Sequence, residues 1–425
     1  MNRLFNVFRS SIFVLVAATI AVHVALYLLG TSVEKDAIGD VLNAYKPWVD
    51  ALHPDRKWLG VAEPWVYPFL AWIPILLAKL LLPFDYLLSW QLLALTLNIF
   101  AIGNLVAWGR RQSAFGAAWF YLAFLGLLGP VAFTRLDGIS ASLAIIGVTF
   151  IIRWVGLSGA AKDADQPMLN DAFATRTRPA LIFFTIAAWI KVWPVALVFG
   201  LLQKGQGFRR QVVTLASTCL VILGVGVLLG GNANLFSFVT LQTDRGLQVE
   251  SPAAFAWVVL ASLHESNAIV YFDQLLTTYQ VSGDLVQEIS FLMSFVLLIA
   301  ISITAYLHWR GLKAGANSAH LAAVTALTAT LDLIVFNKVG SPQYQLWLVA
   351  PVILGLALGI KKWAVPTYFV LGLALLTQLV YPLFYNSLIA TEPFAVAVLG
   401  LRNLGLIVLL VWANLRLTRM GKAKA

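Results

Sequence analysis

Long apolar runs recur from one end of the chain to the other, and short polar clusters separate them. Most runs reach the roughly 20 residues that a helix needs to cross about 30 Å of hydrocarbon. The pattern predicts whole spans over residues 11–30, 86–108, 114–133, 138–154, 211–230, 286–309, 318–336, 344–360, 364–386 and 394–415. We therefore predict an all-α fold, a polytopic membrane helix bundle that forms one domain over residues 1–425.

Two apolar stretches do not fit whole spans. Residues 67–82 contain Pro68 and Pro74, so we expect a helix that lies in the outer interface or re-enters the membrane there. Residues 179–203 are bounded on both sides by basic clusters and carry Lys191 at their middle. Two short half-spans that meet at Lys191 satisfy both constraints.

The Lys and Arg residues fall in clusters between the apolar runs. These clusters are Arg3 and Arg9, Arg110 and Arg111, Arg153 to Arg178, Lys204 to Arg210, Arg310 and Lys313, Lys361 and Lys362, and Arg416 to Lys424. If all of them are cytoplasmic, an even number of crossings must join consecutive clusters. Counting the half-spans, this gives about twelve crossings with both ends cytoplasmic.

The same constraint places two long segments outside. Residues 31–85 form a large first external loop with interfacial helices, and residues 231–285 form a second. The run 11–30 follows Arg3 and Arg9 like a secretory signal, but it is long and lacks a small-residue cleavage site. We therefore expect it to remain as the first span.

Composition agrees with a membrane protein and argues against a soluble domain, a nucleic-acid binder and a cysteine-based site. Sixty per cent of the 425 residues are apolar and 11% are charged, whereas about 25% is typical of soluble domains. The net charge of +10 would suit a nucleic-acid binder, but the loop clusters explain it through topology. The single Cys219 excludes an intrachain disulfide and disfavours a thiolate metal cluster.

This topology gathers ionisable residues on the outer side. They are Glu34, Lys35, Asp36, Asp40, Lys46, Asp50, Glu63, Arg135, Asp137, Lys191, Asp244, Arg245, Glu250 and Lys338. An ionisable group at membrane depth is costly unless it is paired or hydrated, which makes it a candidate for function. The structural alternatives are mutual pairing, such as Arg135 with Asp137, or Lys191 snorkelling to the interface.

Four cations on one face, Arg135, Lys191, Arg245 and Lys338, indicate an anionic ligand, and a lipid phosphate suits an apolar bundle. A carboxylate in the first external loop could then act as general base. Asp40 is our candidate, because it precedes a segment with helix-compatible apolar spacing. The alternative is that Asp40 caps a solvated helix.

The chain resembles a GT-C glycosyltransferase of family 87, which contains actinobacterial mannosyl- and arabinofuranosyltransferases that use polyprenyl-phosphate sugars. The resemblance covers most of the chain and rests on several short motifs. They are Gly39-Asp40 with Tyr45, Trp65-Val66-Tyr67-Pro68, Arg135-Leu136-Asp137-Gly138, Lys191-Val192-Trp193-Pro194, Arg245 to Ser251, and Ser341-Pro342-Gln343-Tyr344.

The resemblance implies an aspartate base at Asp40, phosphate binding by Lys191, Arg245, Lys338 and Arg135, and no metal or cofactor. It also implies that the sugar and the acceptor contact Asp137, Glu250, Gln343, Tyr344 and Tyr45. The match departs from the family locally, because the tyrosine stands five residues after Asp40 rather than four. Asp36 is therefore a second candidate for the base, and Tyr67-Pro68-Phe69 in place of Tyr-Pro-Pro leaves the acceptor subgroup open.

The implied protein lies in the plasma membrane with its active site facing the exterior. It moves a sugar from a polyprenyl monophosphate donor to a glycolipid or lipoglycan acceptor, with inversion. Mannose, α-linked in the product, is the favoured sugar, with arabinofuranose as the alternative. A transporter or a non-catalytic scaffold for lipid-linked sugars is the competing class. No nucleic acid is expected as a partner.

Overall fold

Helices dominate the computed structural model, which describes residues 11–32, 35–52, 58–158, 172–241, 245–265, 267–274 and 276–422. The α-helices are α1 (Ile12–Ser32), α2 (Lys46–Asp50), α3 (Trp72–Leu81), α4 (Tyr86–Leu105), α5 (Phe115–Leu128), α6 (Leu136–Ser158), α7 (Arg178–Ile190), α8 (Val195–Leu201), α9 (Gly205–Leu228), α10 (Ser237–Thr240), α11 (Phe255–Ser262), α12 (Val286–Lys313), α13 (Ser318–Val335), α14 (Val349–Ala357), α15 (Ala364–Gln378), α16 (Tyr385–Ile389) and α17 (Pro393–Met420).

Shorter 3₁₀ and π turns connect or extend these helices. The 3₁₀ turns cover Lys35–Ile38, Phe69–Ala71, Ala107–Gly109, Gln112–Ala114, Pro130–Ala132, Ala233–Phe236, Pro252–Ala254 and Pro342–Leu348. The π turns cover Val41–Tyr45 and Leu379–Leu383. π turns occur often at functional sites.

Within the described residues, eight helices are long and apolar enough to cross a membrane. They are α1, α4, α6, α9, α12, α13, α17 and the helix that joins α15 to the π turn Leu379–Leu383. This confirms the predicted bundle of membrane helices. Many side chains on α9 and α12 remain exposed although they are apolar, as expected for helices that face lipid.

The remaining predicted spans are shorter or less regular than a single α-helix. The predicted span 114–133 contains α5, which ends before Gly129, a residue with φ of 77°. The predicted span 344–360 begins as the 3₁₀ turn Pro342–Leu348 and continues as α14. In the first external loop, the predicted helix over 67–82 is present as Phe69–Ala71 followed by α3.

The helical pair expected around Lys191 is present. Helix α7 ends at Ile190, Lys191 is extended, and α8 begins after Pro194. Proline favours the start of a helix because it lacks the N–H that the first turn leaves unbonded. The break places Lys191 and Trp193 between two apolar helices, where their side chains reach neighbouring segments.

One element differs from the predicted all-α fold. Residues 231–285 contain an antiparallel hairpin of β1 (Ile269–Asp273) and β2 (Thr278–Ser282), in which Val270 lies opposite Val281. The segment around Gln248 pairs with the outer side of β2, since Val249 N–H donates to Tyr279 O at 3.0 Å and Val281 N–H donates to Leu247 O at 3.0 Å. The polar segment thus gains ordered backbone bonds that apolar runs alone did not predict.

Helix α6 occupies the centre of the bundle and packs against α4, α7 and α14, while α13 packs against α8 and α17. Both the N-terminal end of α6 and the C-terminal end of α13 lead into polar loops. These loops meet the break between α7 and α8 and the 3₁₀ turn Pro342–Leu348. The packing of the core helices therefore brings distant polar motifs to one end of the bundle.

Candidate functional site

Asp40 and Arg135 form an ion pair between the first external loop and the start of α6. The guanidinium Nη1 of Arg135 lies 3.1 Å from Oδ1 of Asp40. The Arg135 side chain is 8% exposed, whereas that of Asp40 is 36% exposed. One end of the pair is therefore fixed in the protein, and the carboxylate remains accessible to a ligand.

A π turn places Tyr45 beside the same loop. In the turn Val41–Tyr45, the N–H of Lys46 bonds to the carbonyl of Val41, five residues back. Asp40 precedes this turn and Tyr45 ends it, so the five-residue spacing between them spans one π turn. The hydroxyl of Tyr45 accepts a hydrogen bond from Leu136 N–H at 3.3 Å.

Lys191 pairs with Asp137 at the break between α7 and α8. Its Nζ lies 3.4 Å from Oδ2 of Asp137, whose side chain is 1% exposed. The other carboxylate oxygen of Asp137 accepts a 2.7 Å bond from Trp347 Nε1. Lys191 Nζ also lies 4.5 Å from the ring centroid of Tyr67, which is cation–π geometry.

These contacts correct one structural alternative from the sequence. Arg135 and Asp137 do not form a pair with each other: Arg135 pairs with Asp40, and Asp137 pairs with Lys191. The two side chains have different partners, since Asp137 bonds to Trp347 as well as to Lys191, while Arg135 pairs with Asp40 from the segment before α2. Lys191 is held in the protein and its side chain is only 16% exposed, so simple snorkelling does not describe it.

A cavity of about 420 Å³ opens beside Lys191. Three of the four predicted cations, Lys191, Arg245 and Lys338, contribute to its wall. Ser341, Gln343 and Tyr344 add polar groups. The apolar part of the lining includes Phe238, Val239, Met293, Leu297, Leu333 and Phe336. A molecule with an anionic group attached to an apolar chain matches a cavity lined by both cations and apolar side chains.

Stacked aromatic rings form one side of the cavity. Tyr344 stacks on Trp347 with ring centroids 3.9 Å apart, and Trp347 lies parallel to Trp193 at 6.2 Å. Trp193 is fixed by a 2.8 Å bond from its Nε1 to Ser140 Oγ. This arrangement presents flat, rigid surfaces next to the cations, which suits a ring-shaped ligand group.

Tyr67 connects the cavity with the Asp40–Arg135 pair. Its ring lines the cavity, and its hydroxyl is close enough to Lys191, Asp40, Asp137 and Arg135 to respond to their charges. Burial is the main cause that raises the pKa of Tyr67 above its ordinary value. Tyr67 therefore stays a neutral phenol that can donate a hydrogen bond toward the pair.

Electrostatics also fixes the charge of Arg135. Burial by itself lowers the pKa of Arg135, but Asp40, Tyr381, Tyr45 and Tyr67 raise it above its ordinary value. The guanidinium is thus a permanent cation beside Asp40. Tyr381 comes from the second π turn, Leu379–Leu383, so both π turns of the described chain contribute to the surroundings of Arg135.

Several predicted site residues lie outside the cavity wall. Asp40, Arg135 and Tyr45 do not line the cavity, and neither does Asp137, which is buried and pairs with Lys191. Glu250 is 1% exposed and lies on the same segment as Arg245, but it does not line the cavity. The side chains of Lys35 and Asp36, and all of Glu34 and Asp244, lie outside the described residues.

The sequence prediction missed two ionisable residues inside predicted spans. Arg402 lies in α17 and is 1% exposed, and its Nη2 donates a hydrogen bond to the backbone carbonyl of Glu250. Asp332 lies in α13 and accepts a 2.6 Å bond from Thr304 Oγ1 of α12. The signal that could have found them is their charge inside an apolar run, because such residues are rare in membrane helices and usually have a partner.

Comparison of this chain with models of protein families, with curated proteins and with solved structures gives no match. Within the described ranges, no three His, Cys, Asp or Glu side chains lie close enough together to hold a metal ion. The chemical interpretation of the site therefore depends on its own geometry.

Proposed function

We propose that this protein is a membrane glycosyltransferase that uses a polyprenyl-phosphate sugar as donor. One observation carries the proposal. Tyr67 lines a cavity that has three cations and an apolar wall, and it is also close enough to the accessible carboxylate of Asp40 to respond to its charge. A lipid monophosphate needs the first feature, and proton removal from an acceptor hydroxyl needs the second.

The proposed reaction transfers the sugar in one displacement. The acceptor hydroxyl oxygen attacks the anomeric carbon, and the bond from that carbon to the phosphate oxygen breaks. Its electron pair leaves with the phosphate, and the hydroxyl proton passes to the carboxylate of Asp40. Attack opposite the leaving group inverts the anomeric centre, so a β-linked donor gives an α-linked product.

The cations assist the departure of phosphate. Lys191, Arg245 and Lys338 face the cavity where the phosphate would sit, and their charges stabilise the dianion as it forms. Arg135 has a different role in this proposal. Its guanidinium orients the carboxylate of Asp40, since Nη1 of Arg135 lies 3.1 Å from Oδ1 of Asp40.

We propose a GT-C-type topology for the bundle. The eight long helices, together with α5, the 3₁₀ and α-helical segment 342–357, and the half-spans α7 and α8 counted as two, give about twelve crossings. The basic loops are cytoplasmic, and the site opens toward the outer leaflet of the plasma membrane. Helix α3 lies at the outer interface, with Ile73, Leu77 and Leu80 exposed to lipid.

Mannose is the proposed sugar, and a glycolipid or lipoglycan is the proposed acceptor. Arabinofuranose remains the alternative because the aromatic wall of Tyr344 and Trp347 accepts either ring. The competing class, a transporter or scaffold for lipid-linked sugars, would use the same cavity without Asp40 acting as a base. The accessible carboxylate beside the cavity favours the transferase.

The test uses purified protein in proteoliposomes with labelled polyprenyl-phosphate mannose, labelled polyprenyl-phosphate arabinofuranose and a mixture of acceptor lipids. We expect α-linked transfer from one donor to an acceptor lipid. Movement of the intact labelled donor between leaflets without any product would establish the transporter class instead. If neither transfer nor movement occurs with either donor, the proposed function is wrong.

A further inference from the structure

Two cavity cations stand on segments that are joined to each other by Gln248. Its backbone N–H donates to the carbonyl of Lys338 at 3.0 Å. Its side-chain Oε1 accepts bonds from Gly340 N–H at 3.2 Å and from Ser341 Oγ at 3.3 Å. We call residues 245–251 together with 338–341 the junction. Gln248 is thus hydrogen-bonded to three residues of the second segment, Lys338, Gly340 and Ser341.

The junction is tightly packed as well as hydrogen-bonded. A Cβ added to Gly340 would overlap the backbone of Glu250 and Ser251, so the two segments touch directly at this glycine. On the other side, Ser290 Oγ of α12 donates to the carbonyl of Arg245 at 3.1 Å. The directions in which Arg245 and Lys338 enter the cavity therefore depend on how the junction is held.

Arg402 holds the junction from the membrane side. Its Nη2 donates to the backbone carbonyl of Glu250, and its Nε and Nη2 donate to Asn403 Oδ1 at 3.1 and 2.8 Å. The carboxyl of Glu250 is buried and interacts with the hydroxyl of Tyr385 from α16. A buried cation in an apolar helix is costly, so its interaction with the junction indicates a specific role.

We infer that Arg402 and Glu250 are positioning residues that hold the junction so that Arg245 and Lys338 face one phosphate together. Neither residue contributes to the cavity wall, so neither touches the ligand. This inference rests on the proposed function for the identity of the ligand. It reassigns Glu250 from sugar or acceptor contact to support of the phosphate site.

The first experiment measures the junction without any substrate. Trypsin cleaves after Arg245 and Lys338 only when their segments are loose, and mass spectrometry identifies the new termini. We expect Arg402→Met to accelerate both cleavages at least tenfold and Arg402→Lys to restore most of the protection. Arg416→Met is the matched control, because Arg416 is on the same helix and donates to the carbonyl of Lys361 far from the junction.

The second experiment measures binding of farnesyl phosphate, an isoprenyl monophosphate without a sugar. Arg402→Met should weaken binding about tenfold or more, because two charge-assisted contacts lose their alignment. Arg402→Lys should recover most of the affinity, and Arg416→Met should bind like the wild type. If Arg402→Met fails to insert, Asn403→Ala replaces it, since that variant keeps the cation and removes the acceptor that orients it.

The results separate this inference from the proposed function. Unchanged cleavage and unchanged binding in the variant at position 402 or 403 would overturn the inference, as would equal effects from Arg416→Met. Loosening of the junction without weaker phosphate binding would also overturn it. If the wild-type protein transfers no sugar but binds farnesyl phosphate in a manner that depends on Arg402, the proposed function fails and the positioning role stands.

Discussion

The guanidinium of Arg135 lies 3.1 Å from the carboxylate of Asp40, and it is the buried member of the pair. Arg135 can orient the carboxylate of Asp40 from the buried side and leave part of that carboxylate accessible. Asp40 is also close enough to Tyr67, which lines the cation-rich cavity, for the two to interact electrostatically. This relationship makes Asp40 the residue whose chemical removal is most informative.

We expect Asp40→Asn to abolish sugar transfer while the protein still inserts and binds donor. General-base assistance is worth about 10²–10⁴-fold in rate, so the loss should be large. The measurement is turnover of labelled donor by purified protein. Asp50→Asn is a matched control, because Asp50 ends the same helical segment and its side chain is 35% exposed, close to the value for Asp40.

Asp36→Asn tests the second candidate for the base. Asp36 and Asp40 differ by about one helical turn, and we expect the Asp36 variant to remain active. An inactive Asp36 variant together with an active Asp40 variant would show that the base is one turn earlier. Activity in both variants would contradict the proposed mechanism.

Lys191 should contribute to donor binding as well as to the stability of the buried pair. Lys191→Met leaves the carboxylate of Asp137 buried without its cation, which costs about 3–5 kcal/mol in comparable pairs. We therefore expect a lower melting temperature and weaker donor binding. The double variant Lys191→Met with Asp137→Asn should regain thermal stability, because the buried charge is gone and the amide oxygen still accepts from Trp347.

The double variant separates the two roles. If Lys191 holds the phosphate, donor affinity should stay about 10- to 100-fold lower even when stability is restored, as expected for a lost charged hydrogen bond. The measurements are thermal unfolding in detergent and equilibrium binding of the donor. Wild-type donor affinity in the double variant would limit Lys191 to a structural role.

The orientation of the bundle is testable with single cysteines in a Cys219→Ala background. Gln112→Cys and Glu265→Cys both replace exposed residues, on loops predicted to be cytoplasmic and external respectively. An impermeant thiol reagent should label Glu265→Cys in intact cells and Gln112→Cys only after permeabilisation. Labelling of Gln112→Cys from outside would invert the proposed topology.

Glu250 should make stability depend on pH. Burial raises the pKa of Glu250 to about 7, from an ordinary value of 4.5. The folded state therefore binds this proton more tightly than the unfolded state, so stability falls as pH rises from about 4.5 to about 7 and then stays level. The loss is a few kcal/mol at most, since one pKa unit corresponds to about 1.4 kcal/mol.

Thermal unfolding at pH 5 and pH 8 checks this expectation. The wild type should lose more stability over this interval than Glu250→Gln, which has no titrating group at that position. Asp50→Asn should change nothing in the same interval, because hydrogen bonds from Lys46 and Lys79 lower the pKa of Asp50 and its contribution is lost only in more acidic solution. Identical pH dependence in wild type and Glu250→Gln would contradict the pKa of Glu250.

The sequence by itself determined the class of fold and the end of the bundle where polar groups collect. An apolar run long enough to cross a bilayer is a local property, and eight such helices are present in the described structure. The break at Lys191 was predictable for the same reason, because 25 residues between two basic clusters cannot form two whole spans. The cations at Lys191, Arg245 and Lys338 were identified by charge alone.

Only the tertiary structure decided which charges pair. Arg135 and Asp137 are neighbours in sequence, yet they point to different partners, since direction depends on how α6 packs against the first external loop and the 3₁₀ turn Pro342–Leu348. The π turn Val41–Tyr45, which Asp40 precedes, was likewise not predicted from the sequence.

The contact of Arg402 with Glu250 shows the same limit most clearly. Each residue could be recognised separately in the sequence as an ionisable group near or inside the membrane. Their contact, however, requires that α17, α16 and the loop before α11 pack together at Glu250. Hydrophobicity acts along the chain and can be summed over a window of residues. Hydrogen bonds between distant segments require a specific geometry that no local window contains.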